Sequence, residues 1–288
     1  MLKINFIFFT NMNTKQTTGL CRNTKDKYYT SSKIAKDCVE AVKKYVHIHE
    51  NDLAIEPSAG DGAFIPFIKD TFENYKFYDI DPNNDEIEKA NFLEIDFLTS
   101  PLTYNIHIVG NPPFGRQSSL AIQFIKKCCQ NTNCRSISFI LPKSFKKESM
   151  KKCFSPYFHL DFQMDIPSFS FIVENKPHDV PCVFQIWNRK DVPRIIPEKL
   201  LPRGFSFVKI EDNPDISFRR VGVYAGKIDR NYHSKSTQSH YFIKFSFPLT
   251  DEIYDKIISI DYPSKQDTVG PRSISKQEVI TQFNFVLK

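Results

Sequence analysis

Between residues 28 and 187 the chain alternates short apolar runs with stretches of helical periodicity, and its most conspicuous polar residues stand just after the apolar runs. Strands separated by helices must be joined by crossovers, and crossovers build a mainly parallel sheet covered by helices on both faces. In such sheets a ligand sits beyond the carboxyl ends of the strands. The polar residues are therefore placed where a ligand would be met.

Ser31 and Ser32 precede a helical pattern in which Ile34, Cys38, Ala41, Val42 and Tyr45 share one face. Strands are predicted at 53–55, 76–80, 92–97, 106–109, 136–141, 158–166 and 183–187, and further helices at 63–72, 118–130 and 144–154. The short gap between the last two strands, with Pro177 and Pro181, suits an antiparallel return. The expected fold is α/β: a doubly wound, seven-stranded, mostly parallel sheet of Rossmann-like type with its last strand antiparallel. Past Arg189, Pro193, Pro197 and Pro202 mark a linker. Strand-like runs at 205–210, 216–223 and 240–247 and a helix at 249–260 then predict a small C-terminal α+β region. The expected division is a leader at 1–25, the sheet domain at 26–190 and the small region at 191–288.

Composition narrows the class. Hydrophobic residues make up 41% of the chain, enough to bury a sizeable core. The net charge of +6 is compatible with a polyanionic partner. Seven cysteines include no C-x-x-C pair and no His pair at ligand spacing, so neither a disulfide framework nor a metal site is expected. Reduced, buried thiols point to an intracellular compartment, cytoplasmic or nuclear. The apolar stretch 2–9 is shorter than the about 20 residues a membrane span needs, and no cleavage site follows. It is expected to be an edge element or a disordered leader, with Met12 as an alternative start. A soluble monomer is expected. The Lys-, Asn-, Ile- and Phe-rich composition suits an AT-rich genome such as that of a virus, parasite or symbiont.

Four motifs follow the strands in order. The first is Glu56-Pro57-Ser58-Ala59-Gly60-Asp61-Gly62. Gly60 and Gly62 allow a tight turn and close approach of backbone to a ligand, and the following helix offers unpaired N–H groups. Glu56 and Asp61 repel a pyrophosphate, which disfavours a dinucleotide, and attract an ammonium or sulfonium group, which fits S-adenosylmethionine. The second is Tyr78-Asp79-Ile80-Asp81, where an acid can accept hydrogen bonds from ribose hydroxyls. Asp79 is the first candidate and Asp81 the reserve. The third, Ile95-Asp96-Phe97-Leu98, pairs a carboxylate for an adenine amino group with a ring to stack on. The fourth is Asn111-Pro112-Pro113-Phe114. Two prolines stiffen the backbone and remove two donors, leaving the Pro112 carbonyl and the Asn111 side-chain oxygen as paired acceptors. Accepting both hydrogens of an aryl amine localises its lone pair and aims it at a methyl carbon, while Phe114 can stack on the ring. Each motif alone is at home in an ordinary turn. Their joint occurrence, each after its own strand, points to a site.

On these motifs the chain resembles the class I S-adenosylmethionine-dependent methyltransferases of the amino-methylating group, with their NPPF or NPPY signature. More narrowly it resembles the N6-adenine DNA methyltransferases that carry the cofactor motif before the catalytic one. The resemblance covers about residues 26–190. It implies S-adenosylmethionine as cofactor. Glu56, Ala59 and Gly60 would lie on its methionine moiety, Asp79 on its ribose, and Asp96 with Phe97 on its adenine; Asp61, Gly62 and Asp81 are cofactor candidates from their places in the first two motifs. It implies that Asn111, Pro112 and Phe114 hold the target amine and base, with Pro113 a catalytic candidate as part of the same motif. A Tyr-Thr-Pro segment lines the methionine end in that group. Tyr28-Tyr29-Thr30 occupies the place here, with Ser31 where the proline would be, so Tyr29 and Thr30 are expected at the cofactor.

A base inside a duplex cannot meet the sulfonium and must be flipped out or already unpaired. Candidate phosphate contacts are Arg116, Lys143, Lys146 and Lys147 near the expected active face, and Arg219 and Arg220 in the C-terminal region. Adenine N6 in DNA is the expected target. The alternatives are an RNA amino-methyltransferase, a protein glutamine N5-methyltransferase and a catalytically idle nucleic-acid-binding subunit.

Overall fold

The computed structural model describes residues 28–95, 104–173 and 176–287. The predicted leader, Asp96 and Phe97 lie outside them.

The elements follow in this order: β1 (Tyr29–Thr30), α1 (Ser32–Tyr45), β2 (Leu53–Glu56), α2 (Ile65–Lys69), β3 (Asn74–Asp79), β4 (Glu88–Lys89), β5 (Ile106–Gly110), α3 (Ser119–Gln130), β6 (Cys134–Pro142), α4 (Glu148–Lys151), β7 (Phe158–Asp165), β8 (Phe171–Val173), β9 (Lys176–His178) and β10 (Cys182–Arg189). The C-terminal region adds β11 (Phe205–Val208), β12 (Ile216–Arg219), β13 (Ile228–Asp229), β14 (His240–Phe245), α5 (Asp251–Ile258) and α6 (Lys276–Val286).

The principal sheet has seven strands in the order β4-β3-β2-β5-β6-β10-β7. Its pairs are parallel except those of β10, which runs antiparallel to both β6 and β7. The expected α/β sheet and its antiparallel return are present. The strand order reverses between β2 and β5, so a crevice opens at their carboxyl ends.

Alternation along the strands divides the core. Leu53, Ile55, Ile106 and Ile108 face α3, through Ala121, Phe124, Ile125 and Cys128. Ala54 and Val109 point the other way, towards Ile34, Cys38, Val42 and Ile68 of α1 and α2. Both faces are covered, which is why β2 and β5 are buried along their whole length. A second sheet, β11-β14-β12-β13, is antiparallel throughout and packs with α5 and α6 around its own cluster of Phe205, Ile216, Phe218, Ile243 and Phe283.

Several elements depart from the sequence-based expectation. The helix expected at 63–72 spans Ile65–Lys69, because the glycine turn extends past Gly62 and Pro66 suits only the first turn of a helix. The strand expected at 92–97 is replaced by pairing at Glu88–Lys89. Beyond it Asn91 accepts from the Leu93 N–H and closes a turn. The helix expected at 144–154 breaks at Lys147, which is extended; the buried Phe145 is fixed just before it, its carbonyl accepting from Gln185. The strand expected at 216–223 stops at Arg219, where Gly226 N–H bonds back to the Arg219 carbonyl. Ser31 sits at the start of α1 without a side-chain cap; its backbone N–H bonds the Ser170 carbonyl instead. The antiparallel trio β1-β8-β9 and helix α6 were not foreseen. A capping box between Ser275 and Glu278 starts α6 and is legible in the sequence.

Candidate functional site

The first motif forms the loop after β2. Gly60 and Gly62 adopt φ of 58° and 86°, a region open to glycine at little cost. The loop is stitched to β3: Ala59 N–H donates to the Tyr78 carbonyl at 2.8 Å, and Gly60 N–H to Asp79 Oδ2 at 2.8 Å. Asp79 Oδ1 accepts from the Asp81 N–H at 2.9 Å. Both Asp79 oxygens are thus held in place, and each keeps a lone pair for another donor. Asp81 contributes backbone here. Ile80, between the two acids, is 68% exposed, an apolar surface beside the acid that the sequence did not single out.

Glu56 ends β2 and is 1% exposed. Burial, reinforced by the nearby charges of Asp61 and Asp79, pushes its carboxyl well above the usual carboxylate range. Its Oε2 is buried without a hydrogen-bond partner. Burial also raises Asp61. Gly110, at the end of the adjacent β5, allows this packing: a Cβ there would stand 3.1 Å from Glu56 Cγ.

Asn111 follows Gly110 directly. Its Nδ2 donates to the Tyr28 carbonyl at 3.2 Å and to Thr30 Oγ1 at 3.1 Å. These bonds orient the amide, and its Oδ1 is left buried and unpartnered. The Asn111 carbonyl accepts from Ser58 Oγ at 3.1 Å, which ties the fourth motif to the first. Pro112 is buried, and Phe114 is half-buried between the two apolar clusters that flank the sheet. The Phe114 carbonyl accepts from the Leu120 and Ala121 N–H groups at the start of α3. Between them, Gly115, Gln117 and Ser118 all take positive φ. Left-handed backbone at two non-glycine residues is a strained arrangement, and such strain clusters at functional sites.

The β1-β8 pair carries Tyr29 and Thr30 to this crevice. Tyr29 lies against Gly60, where a Cβ would approach its ring to 3.2 Å. Asn83 Nδ2 donates to Tyr29 Oη at 2.9 Å. Asn83 is a positioning residue that no motif pattern marked. Of the cofactor and catalytic candidates within the described residues, Tyr29, Thr30, Glu56, Ala59, Gly60, Asp79, Asp81 and Asn111 are joined by these contacts, and Pro112, Pro113 and Phe114 follow Asn111 along the chain.

The candidate lysines are engaged in contacts within the protein. Lys146 pairs with Asp165 at 2.7 Å, and Lys143 lies 3.9 Å from the same carboxylate. Lys147 donates to the Ser273 carbonyl at 2.8 Å and stands 3.5 Å from Glu278, tying the sheet domain to the C-terminal region. Arg219 Nε donates to the Val221 carbonyl. Arg220 donates to the Gln238 carbonyl. Arg116 is exposed, just after the fourth motif. Among the described residues no group of three or more His, Cys, Asp and Glu could hold a metal, and no helix is long and apolar enough to cross a membrane.

No family model matches the chain, and no curated protein matches it. Solved structures do. A 23S rRNA methyltransferase, ErmE, aligns over 59% of this chain and 72% of its own, at 17% identity and a TM-score of 0.43. A type I restriction-modification system methyltransferase subunit from Streptococcus thermophilus aligns over 57% of this chain, at 15% identity and a TM-score of 0.40. The match spans 44% of that subunit's length.

Proposed function

We propose that the chain transfers the methyl group of S-adenosylmethionine to an exocyclic amino nitrogen, with adenine N6 in DNA as the first-choice target. One observation carries this proposal: the Asn111 amide is oriented by two bonds at its nitrogen and keeps a buried, unpartnered oxygen at the carboxyl end of β5. A buried acceptor without a donor costs stability, and an incoming amine supplies the donor.

The cofactor fits the residues present. The unpartnered Glu56 oxygen and the acidic pair Asp61 and Asp79 favour a cationic ligand. The fixed Asp79 carboxylate suits ribose hydroxyls, and the exposed Ile80 suits a flat apolar ring. When bound, S-adenosylmethionine supplies an electrophilic methyl group on a sulfonium. The chain's own residues would then do the rest. Asn111 Oδ1 and the Pro112 carbonyl would accept the two amine hydrogens and return electron density to the nitrogen, which releases one of those protons to water once it carries the methyl group. Phe114 holds the base plane, so the lone pair points in line. These are gains of orientation and of charge stabilisation in a site with prearranged dipoles.

The test is methyl transfer from isotopically labelled S-adenosylmethionine to DNA, RNA and protein, followed by nucleoside mass spectrometry, with Asn111→Ala as control. Label in deoxy-N6-methyladenosine is the expected outcome. Label in RNA adenine would shift the polymer. Label in protein alone would overturn the nucleic-acid assignment.

A further inference from the structure

The C-terminal sheet carries a cleft that none of the four motifs touches. It encloses about 480 Å3 and is lined by Phe207, Lys209, Arg220, His240, Tyr241 and Lys276, among others. That volume falls in the range of small-ligand pockets. Two of its walls are aromatic: the Phe207 and Tyr241 rings meet edge to face, 5.5 Å between centroids. Three of its lining residues are cations. Lys276 Nζ stands 4.7 Å from the Phe207 centroid and 5.7 Å from that of Tyr241. The Arg220 guanidinium lies 5.6 Å from the Tyr241 centroid and is steadied by its bond to the Gln238 carbonyl. Lys209 is exposed on the β11 side. Glu211 is the acid in the lining. Burial holds the His240 imidazole below its ordinary range, so it adds little charge near neutrality. Three cations against one carboxylate leave the cleft positive.

We propose that this cleft anchors an unpaired stretch of polynucleotide, with phosphates on Lys209, Arg220 and Lys276 and a base against the Phe207–Tyr241 pair. Cations beside aromatic rings match the alternation of phosphate and base along a single strand, and stacking of that kind tolerates any sequence. The cleft also sits beside the tie between the two regions. Lys276 is two residues from Glu278, which Lys147 of the sheet domain reaches. The proposal rests on the nucleic-acid assignment above and adds a second hold on the same strand, formed by residues remote in sequence from the Asn111 motif.

Fluorescence anisotropy of the full chain with labelled single-stranded DNA and RNA oligonucleotides, across a salt series, tests it. The variants are Lys276→Glu and Lys209→Gln. Lys276 opens α6, where the helix end favours an acid, so weakened binding by the Glu variant would not come from lost folding. The expected result is roughly tenfold weaker binding for Lys276→Glu on every sequence, and a log–log salt slope smaller by about 1 for either variant. Wild-type affinity and slope in both variants, while labelled methyl transfer to nucleic acid persists in the parent, would overturn the cleft alone. A chain that binds no oligonucleotide and methylates none would overturn both assignments.

Discussion

Strands β2 and β5 carry a buried polar cluster at each end, and the two clusters are built on opposite rules. At the amino ends His107 bridges Ser136 Oγ at 2.8 Å and Asp52 Oδ2 at 2.9 Å. Asp52 also accepts from the His49 N–H and from Asn105. A neutral imidazole satisfies both partners when Nε2 donates to Asp52 and Nδ1 accepts from the serine. Asp52, His107 and Ser136 are each at most 2% exposed. At the carboxyl ends Glu56 and Asn111 are also in or beside the core, yet each leaves an oxygen with nothing to accept. A Ser-His-Asp constellation can look like a reaction centre, but here it is a closed network inside the sheet. The proposed chemistry uses the cluster left open. The proposal therefore rests on unfilled hydrogen-bonding capacity at the strands' carboxyl ends and not on polar burial alone.

Substitutions at the two ends should separate these roles. The largest effect is expected for Asn111→Ala: about a thousandfold loss of kcat, some 4 kcal/mol of transition-state stabilisation, with cofactor affinity nearly unchanged in calorimetry. Parallel loss of both would erase the distinction. Next, His107→Ala strands Asp52 and Ser136 and should cost about 3 kcal/mol of folding stability, read from denaturant melts, while turnover per folded molecule stays at the parental level. Asp79→Ala removes a carboxylate acceptor and should weaken cofactor binding by about 2 kcal/mol before it alters kcat.

The two clusters also differ in their response to pH. Burial, opposed by Asp52, holds the folded His107 below its ordinary 6.5. The unfolded chain therefore binds the extra proton first, and stability present above pH 6.5 is lost as pH falls from there through the folded value. Asp52 is pushed up by burial but held below 3.8 by its hydrogen bonds, so its contribution disappears only at lower pH. Glu56 behaves the other way. Its raised carboxyl is protonated in the empty site over a wider range, and a cationic ligand favours the charged form. Cofactor affinity should rise with pH, with a proton released on binding. Equal binding enthalpy in buffers of different ionisation heat would contradict that. The smallest effect is expected at the two helix starts. Ser31→Ala should change stability by less than about 0.5 kcal/mol because no side-chain cap is made there, whereas Ser275→Ala should cost about 1 kcal/mol.

The first, second and fourth motifs and their order were legible because short-range patterns write them: apolar runs of strand length, then glycine, acid or proline at the turn. The parallel sheet follows from the same alternation, since a crossover admits few other arrangements. The closed network around His107 was not legible, because Asp52 just before β2, His107 in β5 and Ser136 in β6 meet only through the register of the strands. Asn83 and Ile80 were missed for the same reason: neither residue type carries a signal until the loop after β3 is folded against Gly60 and Tyr29.

By itself the sequence determined the kind of sheet, the edge of it where the motifs gather, and the identity of the acids, glycines and asparagine there, because each of these depends on neighbours within a few residues. Only the tertiary structure decided which polar atoms remain unfilled, that Lys143, Lys146 and Lys147 are engaged in contacts within the protein, and that Phe207, Arg220, Tyr241 and Lys276 share a cleft. Those outcomes depend on partners tens of residues away, and hydrogen bonds and charges are counted only once the chain has closed on itself.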